Sequence, residues 1–348
     1  MGFSINSHLV YMKPLIILMV IITLSGELFS QQGDIVVTAK SGDGIHKLLK
    51  DNGLDPISYS KAFIEINSKN IGANNSLFAG RKYIIPVSDK SVDLSGTTAK
   101  STGNFREYKI FGDEYSRVEI VDNSLGGTVF YLLAGHGGPD PGASGKYGPY
   151  TLTEDEYAYD VTLRLARNLI QHGALVYMIT RDDNDGIRDQ SILKRDSDEK
   201  CYPDSPIPVN QNARLRQRTT AVNSLYARYR GKHQRLIVIH LDSRSTGENI
   251  DVFFYHHINS ASGKKLAENI HNTFRDKYRQ YQPNRTYNGS VTSRSGLWVI
   301  RNTHPPTVFI ELGNIRNSRD QQRFVLYDNR QAMANWIADG IIRDYRGK

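Results

Sequence analysis

The sequence predicts an α/β fold: a largely parallel twisted sheet covered by helices on both faces, preceded by a small βααβ domain. Two observations carry this expectation. From Phe105 onward, apolar runs such as "TVFYLLA" and "RLIVIHLD" alternate with amphipathic helical runs, the pattern of parallel strands joined by helical crossovers. Ahead of that region lies "SDKSVDLSGTTAKSTGN", rich in Ser, Thr, Gly and Lys, which reads as a linker over residues 88–104.

Taken in order, residues 1–30 carry Lys13, the apolar stretch "PLIILMVIITL" and a small, polar exit, "SGELFSQQ". That order predicts a cleaved secretory signal. The apolar run falls short of the roughly 20 residues a membrane span requires. An exported chain with no stable membrane insertion after cleavage is therefore expected, located in the periplasm or at the cell wall. The single cysteine, Cys201, excludes an intrachain disulfide, so the core must supply the stability.

Residues 35–87 read as a compact unit. "DIVVTAKSGDG" begins as a strand and ends in a turn, and "IHKLLKDNG" places Ile45, Leu48 and Leu49 at helical spacing before Gly53. "SYSKAFIEINSKN" gives a second helix with Ala62, Phe63 and Ile66 on one face, and "SLFAGRKYIIP" a closing strand.

Residues 105–348 form the larger domain. Strands are expected at "TVFYLLA", "ALVYMITR", "RLIVIHLD" and "PTVFIELG". Helices are expected at "EYAYDVTLRLARNLIQHG", "LRQRTTAVNSLYARYR", "SGKKLAENIHNTFRDKY" and "RQAMANWIADGIIRDY". Residues 182–212, with Pro203, Pro206 and Pro208 and many charges, interrupt this rhythm as an insertion. Such a segment is either a lid or partner-docking element, or a tolerated surface excursion.

The formal net charge is +8, and residues 1–30 remove only Lys13 and Glu27, so the exported chain keeps it. A basic exported protein suits a polyanionic surface such as a cell wall, and export argues against nucleic acid as a partner.

Ligands of such sheets collect at the carboxyl edge of the strands. His136 and His240 follow the buried runs "FYLLAG" and "RLIVI", so both can face one crevice. Glu154 opens a helix just after a glycine-rich loop. Two histidines and a carboxylate are a donor set that suits catalytic zinc with one position left open, although a strand-end histidine can also be merely packed. Glu311 follows four apolar strand positions, where a charge is costly unless solvated, paired or catalytic. It can relay a proton beside a metal, or pair with Arg301 or Arg316.

Four motifs in order carry a resemblance: "GHGGPDPGASG", "TEDEYAYDVTLRLARNLIQHGALVYMITR", "LIVIHLDS" and "GLWVIRNTHPPTVFIELGNIRN". From about Thr128 to Tyr345 the chain resembles the zinc-dependent N-acetylmuramoyl-L-alanine amidases of bacterial cell-wall turnover and daughter-cell separation. The resemblance implies Zn2+ held by His136, Glu154 and His240, with Glu156 as the alternative carboxylate, and Glu311 as the catalytic acid/base. It implies a peptidoglycan substrate, with contacts to glycan strand and stem peptide, leaves an activator protein open as a further partner, and fits a monomer. Leu133-Ala134 stand where the family usually has Asp-Pro, and Leu241-Asp242 where it has Ala-Asn. Residues 35–87 resemble the LysM carbohydrate-binding module through Ser41-Gly42-Asp43, Asn67 and "LFAGRKYIIP", with Gly44 in place of a common threonine. That resemblance implies affinity for glycans containing N-acetylglucosamine.

Overall fold

A computed structural model describes residues 35–52, 56–86, 103–243 and 249–347. The expected signal over 1–30 and nearly all of the expected linker lie outside the described residues.

Residues 35–86 have the expected βααβ order: β1 (Ile35–Thr38), α1 (Ile45–Asp51), α2 (Pro56–Ile66) and β2 (Lys82–Ile85). The two strands pair antiparallel, Ile35 opposite Ile85. Ile45, Leu48, Leu49, Phe63, Tyr83 and Ile85 form the core of this segment. Ile66, expected on the apolar face, is 48% exposed, because it ends α2 one residue before Asn67 takes over the packing. The Asn67 amide donates to the Ile84 carbonyl at 2.6 Å and accepts from the Ile84 N–H at 2.8 Å, satisfying both backbone polar groups of Ile84.

The larger unit opens with a small antiparallel pair, β3 (Phe105–Glu107) and β4 (Arg117–Glu119), flanking the one-turn α3 (Gly112–Tyr115). Next come β5 (Thr128–Ala134), the hairpin β6 (Ser144–Tyr147) and β7 (Tyr150–Thr153), α4 (Glu154–Gln171) and β8 (Leu175–Met178). Three two-residue strands follow, β9 (Thr180–Arg181), β10 (Lys200–Cys201) and β11 (Ser205–Pro206). The chain continues through α5 (Gln211–Arg228), β12 (His233–Asp242), β13 (Phe253–His256), α6 (Ala261–Tyr281) and β14 (Ser290–Ser293). It ends with α7 (Trp298–Asn302), β15 (Thr307–Asn314), α8 (Ser318–Val325) and α9 (Tyr327–Arg346).

Six of these strands form the central sheet in the order β14-β13-β15-β12-β5-β8. Every neighbouring pair is parallel except β13 against β15. The strands β13 and β14 had no place in the sequence reading, since "FFYH" and "SVTS" are short and lack a long apolar run.

Strand alternation divides the core between two faces. Phe130, Leu132, Ile237, Ile239, Val308 and Ile310 pack with α4, α6 and α9. Val129, Tyr131, Leu236, Val238 and Phe309 pack with α5 and α7. The same parity puts His240 and Glu311 on the α5/α7 face, above that second core.

The insertion is built rather than loose: β10 pairs with β9 and β11, tying it to the end of the β8 segment. None of the described helices is long and apolar enough to cross a membrane.

Candidate active site

The β5 strand stops at Ala134, and His136 sits two residues beyond it with φ at +62°. Three glycines with positive φ follow, Gly137, Gly138 and Gly142, so the turn doubles back immediately after the imidazole. Space is the second reason for glycine here. A Cβ at Gly142 would lie 2.6 Å from His136 Cδ2 and 2.7 Å from Glu154 Oε2, and one at Gly135 would run into the His240 ring.

The apolar runs end just before His240 and Glu311, but neither residue lies at the end of its strand. Both strands continue past them, to Asp242 and Asn314, with a register irregularity between His240 and Asp242. The extension is stabilised by Ile315 N–H donating to the Asp242 carbonyl at 2.9 Å. His240 lies opposite Glu311 in register and stacks on Phe309, with centroids 4.5 Å apart and planes 15° apart.

Glu154 begins α4, where the helix N-terminus favours a carboxylate. Its Oε2 lies 3.2 Å from His136 Nε2 and its Oε1 2.7 Å from His240 Nδ1. Backbone N–H groups of Ala143 and Leu241 donate to the same two oxygens at 2.8 and 3.0 Å. The structure therefore brings His136, Glu154 and His240 together, one donor atom from each lying within 4.8 Å of the others. Glu156 turns elsewhere: it accepts from Arg188 at 2.9 Å and from the Asp196 N–H at 3.2 Å. Of the two carboxylates that the sequence left open, Glu154 is the one beside the histidines.

Electrostatics follow from these partners. Burial acts to lower the His136 imidazole, but hydrogen bonds to Asp140 and Glu154 outweigh it and raise the group to about 10. The more deeply buried His240 is lowered by burial despite its bond to Glu154. Burial alone would raise Glu154, yet the two imidazoles hold it below the usual carboxylate range. A carboxylate between two imidazoles is held together by a proton or by a cation that replaces it.

Residues the sequence reading missed surround this cluster. Asp140 reaches back to His136 Nδ1 at 3.0 Å and is itself held by Arg214 at 2.7 Å. Arg218, one turn further along α5, donates to the His136 carbonyl. Two buried arginines spaced four apart, on the helix face that continues into Ala221, Val222 and Leu225, were the available signal. Of the partners expected for Glu311, Arg316 donates to the Ser144 carbonyl and Arg301 lies over the Trp298 ring.

Comparison with known proteins gives the family. The profile of the N-acetylmuramoyl-L-alanine amidase family matches residues 131–343, more than half of the chain. The chain is similar to the germination-specific N-acetylmuramoyl-L-alanine amidase of Bacillus subtilis, 26% identical over 228 residues, which cover 64% of this chain and 82% of that protein. It is also similar to the probable cell wall amidase LytH of Staphylococcus aureus, 26% identical over 223 residues; the match spans 63% of this chain and 59% of LytH. Among solved structures it is similar to the CwlD amidase from Clostridioides difficile in complex with the GerS lipoprotein, at a TM-score of 0.48 and 18% identity over 64% of this chain and 99% of that one. The amidase AmiC2 of Nostoc punctiforme gives a TM-score of 0.45 at 22% identity over 64% and 99%. On the family match, this chain belongs to the N-acetylmuramoyl-L-alanine amidases.

Proposed function

We propose that the chain is an exported, zinc-dependent amidase that hydrolyses the amide between the lactyl group of N-acetylmuramic acid and L-alanine in peptidoglycan. The observation that carries this reading is the convergence of His136, Glu154 and His240 at one sheet edge, with Glu311 in register beside His240. The donor set fits the metal: two imidazole nitrogens and one carboxylate oxygen are the ligands of catalytic zinc sites that keep an open position. Gly135 and Gly142 leave room where a side chain would fill the cluster.

His136, Glu154 and His240 would hold the ion, which supplies Lewis-acid polarisation of the scissile carbonyl and a nucleophile at neutral pH. Glu311 takes the proton of the attacking water and delivers it to the departing L-alanine amine. Asp140 fixes the His136 ring through Nδ1, leaving Nε2 toward the cluster. Phe309, 7% exposed and stacked on His240, keeps that ring from rotating and excludes water from its face.

The remaining expectations join this reading. Residues 1–30 act as a signal, so the enzyme works outside the cytoplasm at the wall, and residues 35–87 act as a LysM-like glycan anchor joined by the 88–104 linker. The βααβ order and the Asn67 contacts support the module's fold. A zymogram on wall material tests the proposal: a clearing band at the enzyme's mass, lost with a zinc chelator and regained with zinc, is expected. A band that persists in chelator removes zinc from the account.

A further inference from the structure

The insertion over 182–212 places three side chains on Gly138, two residues after His136. Glu199 Oε2 accepts from the Gly138 N–H at 2.6 Å, and Arg195 Nη2 donates to the Gly138 carbonyl at 3.1 Å. Ile207 packs against its α-carbon, close enough that a Cβ at 138 would lie 2.9 Å from Ile207 Cβ. Both backbone polar groups of Gly138, in the His136 turn, are thus held by the insertion.

The same segment grips the element that carries Glu154. Arg195 Nε donates to Asp155 at 3.3 Å, Arg188 to Glu156 at 2.9 Å, and the Asp196 N–H to Glu156 at 3.2 Å. The carboxylate itself is fixed: Glu199 is 5% exposed and immediately precedes β10, which is hydrogen-bonded on both edges. The turn it braces holds His136 at a left-handed φ of +62°, a conformation that a residue other than glycine keeps only when its surroundings over-determine it.

We propose that the insertion is a strut of the active site, with Glu199 and Arg195 as positioning residues that fix the His136 turn relative to Glu154. A lid would close over substrate; this segment instead cross-links the two ligand-bearing elements through the buried Glu199 contact and the half-buried contacts of Arg188, Arg195 and Asp196. The inference rests on the zinc reading above, and groups that orient a metal ligand through its neighbours typically change metal affinity or activity 10- to 100-fold when removed.

The test uses the full chain with zinc alone as the probe, titrated against a chromophoric chelator, alongside kcat, KM and the unfolding temperature of the metal-free protein. Glu199→Ala is expected to weaken zinc binding about tenfold or more and to lower kcat with little change in KM. Glu199→Gln, which keeps an acceptor oxygen for Gly138, recovers most of both, and Lys194→Ala, at an exposed insertion position, behaves as the parent. Should Glu199→Ala fail to fold, Arg195→Met carries the test, with a loss in the same direction. Zinc affinity and kcat within twofold of the parent in these variants overturn the strut. So does a loss that Glu199→Gln fails to recover and that tracks the metal-free unfolding temperature. Parent-like zinc binding by His136→Ala overturns the metal reading itself, a failure separable from that of the strut alone.

Discussion

His240 and Glu311 stand opposite each other in register across β12 and β15, on the face that packs against α5 and α7. Neighbouring parallel strands lie about 4.8 Å apart, so the two side chains leave the sheet side by side. One belongs to the candidate metal cluster and the other does not, so the proposed metal binding and the proposed proton relay can be tested apart.

Glu311→Gln therefore removes activity and leaves the metal. A loss of about 10²–10⁴-fold in kcat is expected for a proton-relaying group, with zinc content of the purified protein unchanged. Metal analysis beside a turnover assay checks both halves.

His136→Ala and His240→Ala are expected to lose zinc and activity together. Saturating zinc at about 100 times its dissociation constant should stabilise the parent by about 2.7 kcal/mol, and neither variant should gain this increment. Thermal melts with and without zinc read it directly.

Gly142→Ala tests why the turn is glycine-rich. The φ of +69° costs a side chain about 1–3 kcal/mol. The added methyl would also press on His136 Cδ2 and Glu154 Oε2, at 2.6 and 2.7 Å. Reduced stability and weakened zinc binding are expected together, measured by denaturant unfolding and chelator competition.

The metal-free protein should lose stability as pH rises from about 5 to about 8. Burial raises Glu199 to about 7, aided by Asp155 and Asp182 and opposed by the Gly138 N–H. A carboxyl raised in the folded state contributes stability that is present below its unfolded value and lost as pH rises through the folded one. Glu156, also raised to about 7 by burial, and Asp182, raised to about 6, act in the same sense. Glu199→Gln should flatten part of this decline in urea unfolding at pH 5, 6, 7 and 8; an unchanged slope would remove Glu199 from it.

Asp160 anchors α4 to α9. It is fully buried and accepts from Arg164 Nε at 2.8 Å and Arg330 Nε at 2.6 Å, with both arginines buried as well. Asp160→Ala leaves two buried guanidinium groups without this partner and should cost about 3–5 kcal/mol. Denaturant unfolding of the larger unit checks it, and zinc content should survive wherever the fold does.

Much of this was legible from residue order. Long apolar runs and amphipathic repeats mark β5, β12, β15, α4, α6 and α9 because burial on both faces demands them. His136, His240 and Glu311 are visible since each interrupts such a run or follows it, and Glu154 since it opens a helix just after a glycine-rich loop. The choice between Glu154 and Glu156 was not legible: two residues apart at a helix start, they diverge only once Arg188 and Asp196 of the insertion claim Glu156. Asp140, Arg214, Arg218 and Glu199 were hidden for a similar reason. Glu199 and the α5 arginines reach the His136 turn and its Asp140 from distant parts of the chain; the four-residue spacing of Arg214 and Arg218 marks a buried face but not what it touches.

The proposed activity is zinc-dependent cleavage of the muramoyl–alanine amide. Mass spectrometry of wall material digested by the purified chain tests it most directly. Stem peptides beginning with a free L-alanine amine are expected beside sugars that keep an intact lactyl acid, with both products absent in chelator and restored by zinc. Peptides cut between other residues, cleaved glycosidic bonds, or the same products in chelator would contradict it.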